Sequence, residues 1–205
     1  MEIQNDVGIN RRELTKGALA LGGAAMFSAA VLGATTRGGL AFARGSPFKN
    51  DVEVLNYALT LEFFEAELYR VIVASGKLQG KDQQYAQLFG QHEQAHVDAI
   101  IPTIQKLGGT PIKAPELNLP ALTDRMMVLT LLESVEQTGI SAYQGAAGFI
   151  QSEEVLAAAA SIMQVEARHT ALIRALLGTQ PAPDAFTKAL TPAEVLMIVA
   201  PFLKQ

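Results

Sequence analysis

Two short stretches of this chain pair a carboxylate with an imidazole three residues apart: Gln91-His92-Glu93-Gln94-Ala95-His96 and Gln164-Val165-Glu166-Ala167-Arg168-His169. On an α-helix that spacing puts both groups on one face, close enough to bind a single ion. Apolar residues recur at the same helical phase, Phe89, Ile100 and Leu107 around the first stretch and Ile162, Ile173 and Leu176 around the second. The ligand-type groups are therefore expected to point inward. Ionised carboxylates in a helical core are costly unless something positive compensates them, so the pattern asks for a cation. The chain contains no cysteine, which excludes disulfides, thiolate metal sites and a cysteine nucleophile. Any metal must be held by oxygen and nitrogen, a donor set that suits iron or manganese.

The elements that must position these groups are helical from Asp51 onward. Leu55, Leu59, Glu62, Ala66, Tyr69 and Val73 recur at three- and four-residue spacing and predict a first helix from about Asp51 to Ala74, ended by Gly76 and Gly80. A second helix is expected from about Asp82 to Leu107, kinked at Pro102 and stopped by Gly108-Gly109. Residues 109–122 are proline-rich and aperiodic, long enough to run the length of a bundle, whereas the link between the first two helices is short. A third helix should follow Thr123 as N-cap and reach about Ile150, with Leu129, Leu132, Glu133, Glu136, Ile140 and Tyr143 on one face. Ser152-Glu153-Glu154 opens a fourth, which ends at Gly178, and Thr191-Pro192-Ala193-Glu194 reads as a capping box starting a short fifth helix. No segment shows strand alternation. The class is all-α, an antiparallel four-helix bundle (51–178) with one long crossover between its second and third helices, followed by a C-terminal linker and accessory helix (179–205).

A weak internal repeat sharpens the pattern. Aligning Tyr69 with Tyr143 sets Glu62 opposite Glu136, each seven residues before its tyrosine, and the two Glu-x-x-His stretches then fall at matching distances. Each half offers a Glu and then a Glu-x-x-His. This arrangement resembles the ferritin-like superfamily of di-iron and di-manganese carboxylate proteins. Within it, the run Leu55-Asn56-Tyr57-Ala58-Leu59-Thr60-Leu61-Glu62-Phe63-Phe64-Glu65-Ala66-Glu67-Leu68-Tyr69 is similar to the opening helix of the twin-arginine-exported, desiccation-related group. The resemblance implies six metal ligands, Glu62, Glu93, His96, Glu136, Glu166 and His169, with Glu93 and Glu166 bridging two ions about 3.5–4 Å apart and the histidines as terminal ligands. Glu65 and Glu133 lie one helical turn from the chosen residues and stay open as additional or replacement ligands. Tyr69 and Tyr143 are expected to pack beside the ligands.

His92-Glu93-Gln94-Ala95-His96 also fits the His-Glu-x-x-His zinc-protease motif, with His92 and His96 on one zinc and Glu93 activating water. The repeat argues against it, because Val165 stands where His92 would recur. The function expected is redox chemistry with dioxygen, hydrogen peroxide or Fe(II), as a ferroxidase, peroxidase or manganese-catalase-like protein in stress protection. The alternative is a non-catalytic stress or envelope protein whose metal is structural or whose bundle binds a partner.

Composition limits the partners. The net charge is -4, and no lysine or arginine cluster appears past residue 50, which sets nucleic acid aside. Residues 1–43 resemble a twin-arginine export signal, with Arg11-Arg12, Leu14 and Lys16, a Gly/Ala-rich apolar run from Gly17 to about Thr36, and Ala41-Phe42-Ala43 as cleavage site. Its removal takes four positive and three negative charges and leaves 12 against 17. Residues 44–50 would be a linker. The expected location is the periplasm or cell envelope, with membrane contact only through an uncleaved signal and a homodimer as the candidate assembly.

Overall fold

The computed structural model describes residues 46–204, so the expected export signal lies outside the described residues. Among the described residues five α-helices follow one another: α1 (Asp51–Ser75), α2 (Gly80–Lys106), α3 (Arg125–Ala146), α4 (Glu153–Leu177) and α5 (Pro192–Val199). Their ends follow local chemistry. Asn50 caps α1 by accepting a hydrogen bond from the Glu53 amide, and Gly76, at φ 67°, turns the chain out of it through the left-handed region that a side chain would disfavour. Ser152 caps α4 in the same manner, and Thr191 and Glu194 close the reciprocal capping box at α5.

Three boundaries differ from expectation. The N-cap of α3 is Asp124 rather than Thr123; its carboxylate accepts from the Met127 amide, while Thr123 only steadies that carboxylate with its hydroxyl. α2 begins at Gly80, two residues before Asp82, because Asp82 is drawn into the first turn where it pairs with Arg125 of α3. The third helix gives way to a 3-10 turn over Ala147–Phe149 before reaching Ile150. Pro102 is accommodated within α2 on its exposed face, and Leu107, expected on the buried stripe, is 43% exposed beyond the helix end.

α1 packs along α2, and α3 along α4, as two hairpins with short turns. They face each other with opposed directions. Glu62 and Tyr69 of α1 meet Tyr143 and Glu136 of α3 in reversed order, and Glu93 and His96 of α2 meet His169 and Glu166 of α4 likewise. The core between them is built from Leu59, Phe64, Leu68, Ile72, Leu129, Leu132 and Ile173, each essentially inaccessible, worth roughly 1.5–3 kcal/mol per side chain. Asp51, at the start of α1, accepts hydrogen bonds from the Gln151 and Ser152 amides and so ties the first hairpin to the turn of the second.

The crossover is held near its start and again at its middle. Asn56 of α1 donates to the Thr110 carbonyl and accepts from the Ile112 amide. Farther along, Leu117 forms an antiparallel bridge with Leu203, and Lys204 pairs with Glu116. This two-residue clasp leaves no mark in the sequence, since one ladder step carries no alternation. α5 lays Val195 and Val199 onto the bundle, and Phe202 stacks on Phe64. Among the described residues no helix is long and apolar enough to cross a membrane.

Candidate metal centre

The six residues singled out in the sequence converge at mid-bundle. Glu62 comes from α1, Glu93 and His96 from α2, Glu136 from α3, and Glu166 and His169 from α4. All four carboxylates are 0% exposed, so no water contact compensates their charge from outside. They form two groups whose ligand-type atoms lie within 4.8 Å of one another: Glu62, Glu93, Glu166 and His96, and Glu93, Glu136, Glu166 and His169.

Glu93 and Glu166 belong to both groups, and they divide their oxygens between them. Nδ1 of His96 lies 3.0 Å from Glu93 Oε2 and 3.3 Å from Glu166 Oε1, whereas Nδ1 of His169 lies 3.0 Å from Glu93 Oε1 and 3.9 Å from Glu166 Oε2. Glu62 completes the first group at 3.0 Å from His96, and Glu136 the second at 3.2 Å from His169. His96 Nδ1 is hydrogen-bonded to Glu62 and Glu93, and His169 Nδ1 to Glu136, but the remaining close pairs are not hydrogen bonds. Glu93 Oε1 and both oxygens of Glu166 are buried without a hydrogen-bond partner, although imidazole nitrogens are close by. Three orphaned carboxylate oxygens aimed at common points are what a donor set for cations looks like, and four carboxylates with two imidazoles suit hard or borderline divalent ions.

The terminal carboxylates are held from behind. Tyr69 of α1 donates its hydroxyl to Glu136 Oε1, and Tyr143 of α3 donates to Glu62 Oε1. Each half of the repeat thus supplies the tyrosine that orients the other half's glutamate. The seven-residue Glu-to-Tyr spacing was visible in the sequence, but it pointed to no crossed pairing.

Electrostatics agree with a site short of positive charge. Burial, with the charges of Glu166 and Glu93 adding to it, lifts Glu136 well above the usual carboxylate range, and burial lifts Glu62 to about 8. Burial also acts on Glu93, yet the imidazoles of His169 and His96 pull it below its ordinary value. For His96 burial works against protonation, and the carboxylates of Glu166, Glu62 and Glu93 override it and raise it to about 12.

The residues left open fall outside both groups. Glu133 faces away and pairs with Arg174 at 2.7 Å. Glu65 is 2% exposed, one turn from Glu62; Gly139 makes room for it, since a Cβ there would stand 3.1 Å from Glu65 Oε1. His92 is in neither group: its Nδ1 lies 2.9 Å from Nε2 of His169, the two rings edge to edge and only 12° from parallel. A zinc held jointly by His92 and His96 does not match this placement. Both ligand-type histidines back onto a groove of about 430 Å³ between α2 and α4, with His92 and Arg168 on its walls. A larger groove, of about 1240 Å³, lies over α1, α2 and the crossover; none of the six lines it.

Residues 50–179 match the family model described as the ferritin-like domain. Among solved structures, a dodecameric thioferritin from Bacteroides fragilis, described as bacterioferritin-related, matches with a TM-score of 0.55 at 22% identity over 62% of this chain and 83% of that one. A conserved hypothetical protein of Mycobacterium tuberculosis gives 0.56 at 20% identity over 65% and 94%. A hypothetical protein of Methanococcus jannaschii gives 0.54 at 15% over 76% and 95%. At these identities the likeness is one of fold. No curated protein matches in sequence.

Proposed function

The chain belongs to the ferritin-like domain family, and from that premise we propose that Glu62, Glu93, His96, Glu136, Glu166 and His169 hold two ions of iron or manganese for redox chemistry with dioxygen or hydrogen peroxide. The observation that carries this reading is the division of Glu93 and Glu166 between two histidine-containing groups in a dry core, with three of their four oxygens unpartnered. Such a metal pair supplies the electrons that reduce the oxidant. The chain's residues do the rest. Glu93 and Glu166 would serve both positions and Glu62 and Glu136 one each, while the tyrosine hydroxyls occupy one oxygen of each of the latter two carboxylates and leave the other free for a cation. Four carboxylates would balance two divalent charges, so the loaded site would bury no net charge. The groove behind His96 and His169 has room for a small oxidant or an incoming Fe(II).

Residues 1–43 support export of the folded protein by the twin-arginine route to the periplasm or cell envelope, where it would serve in stress protection. The dodecameric neighbour makes self-association worth testing, and a homodimer is the assembly we propose. The deciding experiment uses full-length protein purified from its own host, because recombinant expression risks loading the wrong metal. Two metal equivalents should be found, with oxygen-dependent Fe(II) oxidation or peroxide decomposition that Glu93→Ala and Glu166→Ala both abolish. Two bound metals without turnover of either oxidant would make the centre structural and overturn the redox assignment.

A further inference from the structure

The two halves of the centre come from a repeat, yet they are not equivalent. Where α2 has His92 immediately before its Glu93, α4 has Val165 before its Glu166. In the folded chain His92 Nδ1 meets Nε2 of His169 at 2.9 Å. His96 hydrogen-bonds through Nδ1, towards Glu62 and Glu93, and its outer edge shares the α2–α4 groove with Val165. Phe89 adds to the asymmetry by stacking on the His169 ring with centroids 4.0 Å apart, and the corresponding residue in the repeat is Ile162.

We propose, resting on the metal reading above, that His92 is a positioning residue that makes the His169 half of the centre the tighter metal position, so that it fills before the His96 half. When Nδ1 of His169 is given to a cation, the ring's remaining proton sits on Nε2. His92 accepts that proton's hydrogen bond at its own Nδ1, which fixes the tautomer and ring orientation and raises the donor strength of His169. Val165 can do none of this for His96. Losing such an outer partner lowers metal affinity by roughly 10- to 100-fold.

The chain has three histidines, His92, His96 and His169, so imidazole nitrogen NMR on uniformly labelled full-length protein can resolve each ring. Zn(II) serves as a diamagnetic probe. One equivalent should shift Nδ1 of His169 to a metal-bound position and leave His96 free, and calorimetry should show two steps of unequal affinity. His92→Leu should weaken the first step by roughly 10- to 100-fold and spare the second. His92→Asn should recover much of the loss, because its amide oxygen can stand where Nδ1 stood, a rescue that mere space-filling would not produce. Unfolding of each variant without metal confirms that the bundle is intact. The proposal is overturned if His96 and His169 fill together, if His92→Leu weakens both steps alike, or if His92→Asn is as weak as His92→Leu. Failure of the wild-type protein to bind Zn(II), Fe(II) or Mn(II) would overturn the metal reading itself, and this proposal with it.

Discussion

At the scale of single residues, the centre is a set of protonation states waiting for a competing cation. Glu62 and His96 both hold their protons more firmly in the folded chain than in the unfolded one. A raised folded value means that the native state keeps a proton the unfolded state has lost, so each group's stabilising contribution is complete below its unfolded value and is lost as pH rises towards the folded one. Metal-free protein should therefore lose thermal stability between about pH 5 and 8, the range in which Glu62 and then His96 would be deprotonated if the chain unfolded. Metal binding needs the deprotonated ligands, so the gain in melting temperature on adding Mn(II) should grow over the same range. Calorimetric scans of both forms at several pH values check this; a metal-free stability that climbs with pH would refute it. The choice between Glu62 and Glu65 is tested at this scale as well. Glu62→Gln should cost one of two bound metals, whereas Glu65→Gln should keep both, because Glu65 belongs to neither ligand group; metal content after desalting reads the difference.

At the scale of elements, the four helices could be read from periodicity because each buries a stripe several turns long, and a stripe repeats its signal every turn. Caps were legible for the same reason that they work: Ser152 and the Thr191-Glu194 pair act within four residues of themselves. What escaped was contact between distant segments. The stretch before α5 read as a plain linker, but Leu190 donates its amide to the Ser141 carbonyl and lies so close to Gly145 that a Cβ there would fall 1.8 Å from the Leu190 oxygen. Backbone cannot retreat as a flexible side chain would, so Gly145→Ala should destabilise the fold by about 1–3 kcal/mol, measured by urea unfolding. A Gly145→Ala protein as stable as wild type would show that the 181–190 segment does not bear on α3. Likewise, Glu133 shares a helical face with Glu136 in sequence, and only Arg174, arriving from α4, draws it away from the site.

For the molecule as a whole, metal and fold should be linked. Each cation that binds only the native chain adds about 2.7 kcal/mol at a hundredfold excess over its Kd, and at roughly 2–4 °C per kcal/mol for a chain of this size chelation should lower Tm by roughly 5–11 °C for each ion removed. Scanning calorimetry before and after EDTA measures this, and an unchanged Tm would mean the six residues form a polar core that needs no ion. The sequence by itself determined the bundle, its long crossover and the inward placement of Glu62, Glu93, His96, Glu136, Glu166 and His169. Those follow from residue spacing along single helices, which the 3.6-residue turn converts directly into a shared face. Only the tertiary structure decided how the faces meet: that Glu93 and Glu166 divide their oxygens between two groups, that each tyrosine serves the opposite half, that Glu133 turns to Arg174, and that His92 reaches His169. Such pairings depend on the direction and depth with which one helix packs on another, and no periodicity within one helix encodes its neighbour.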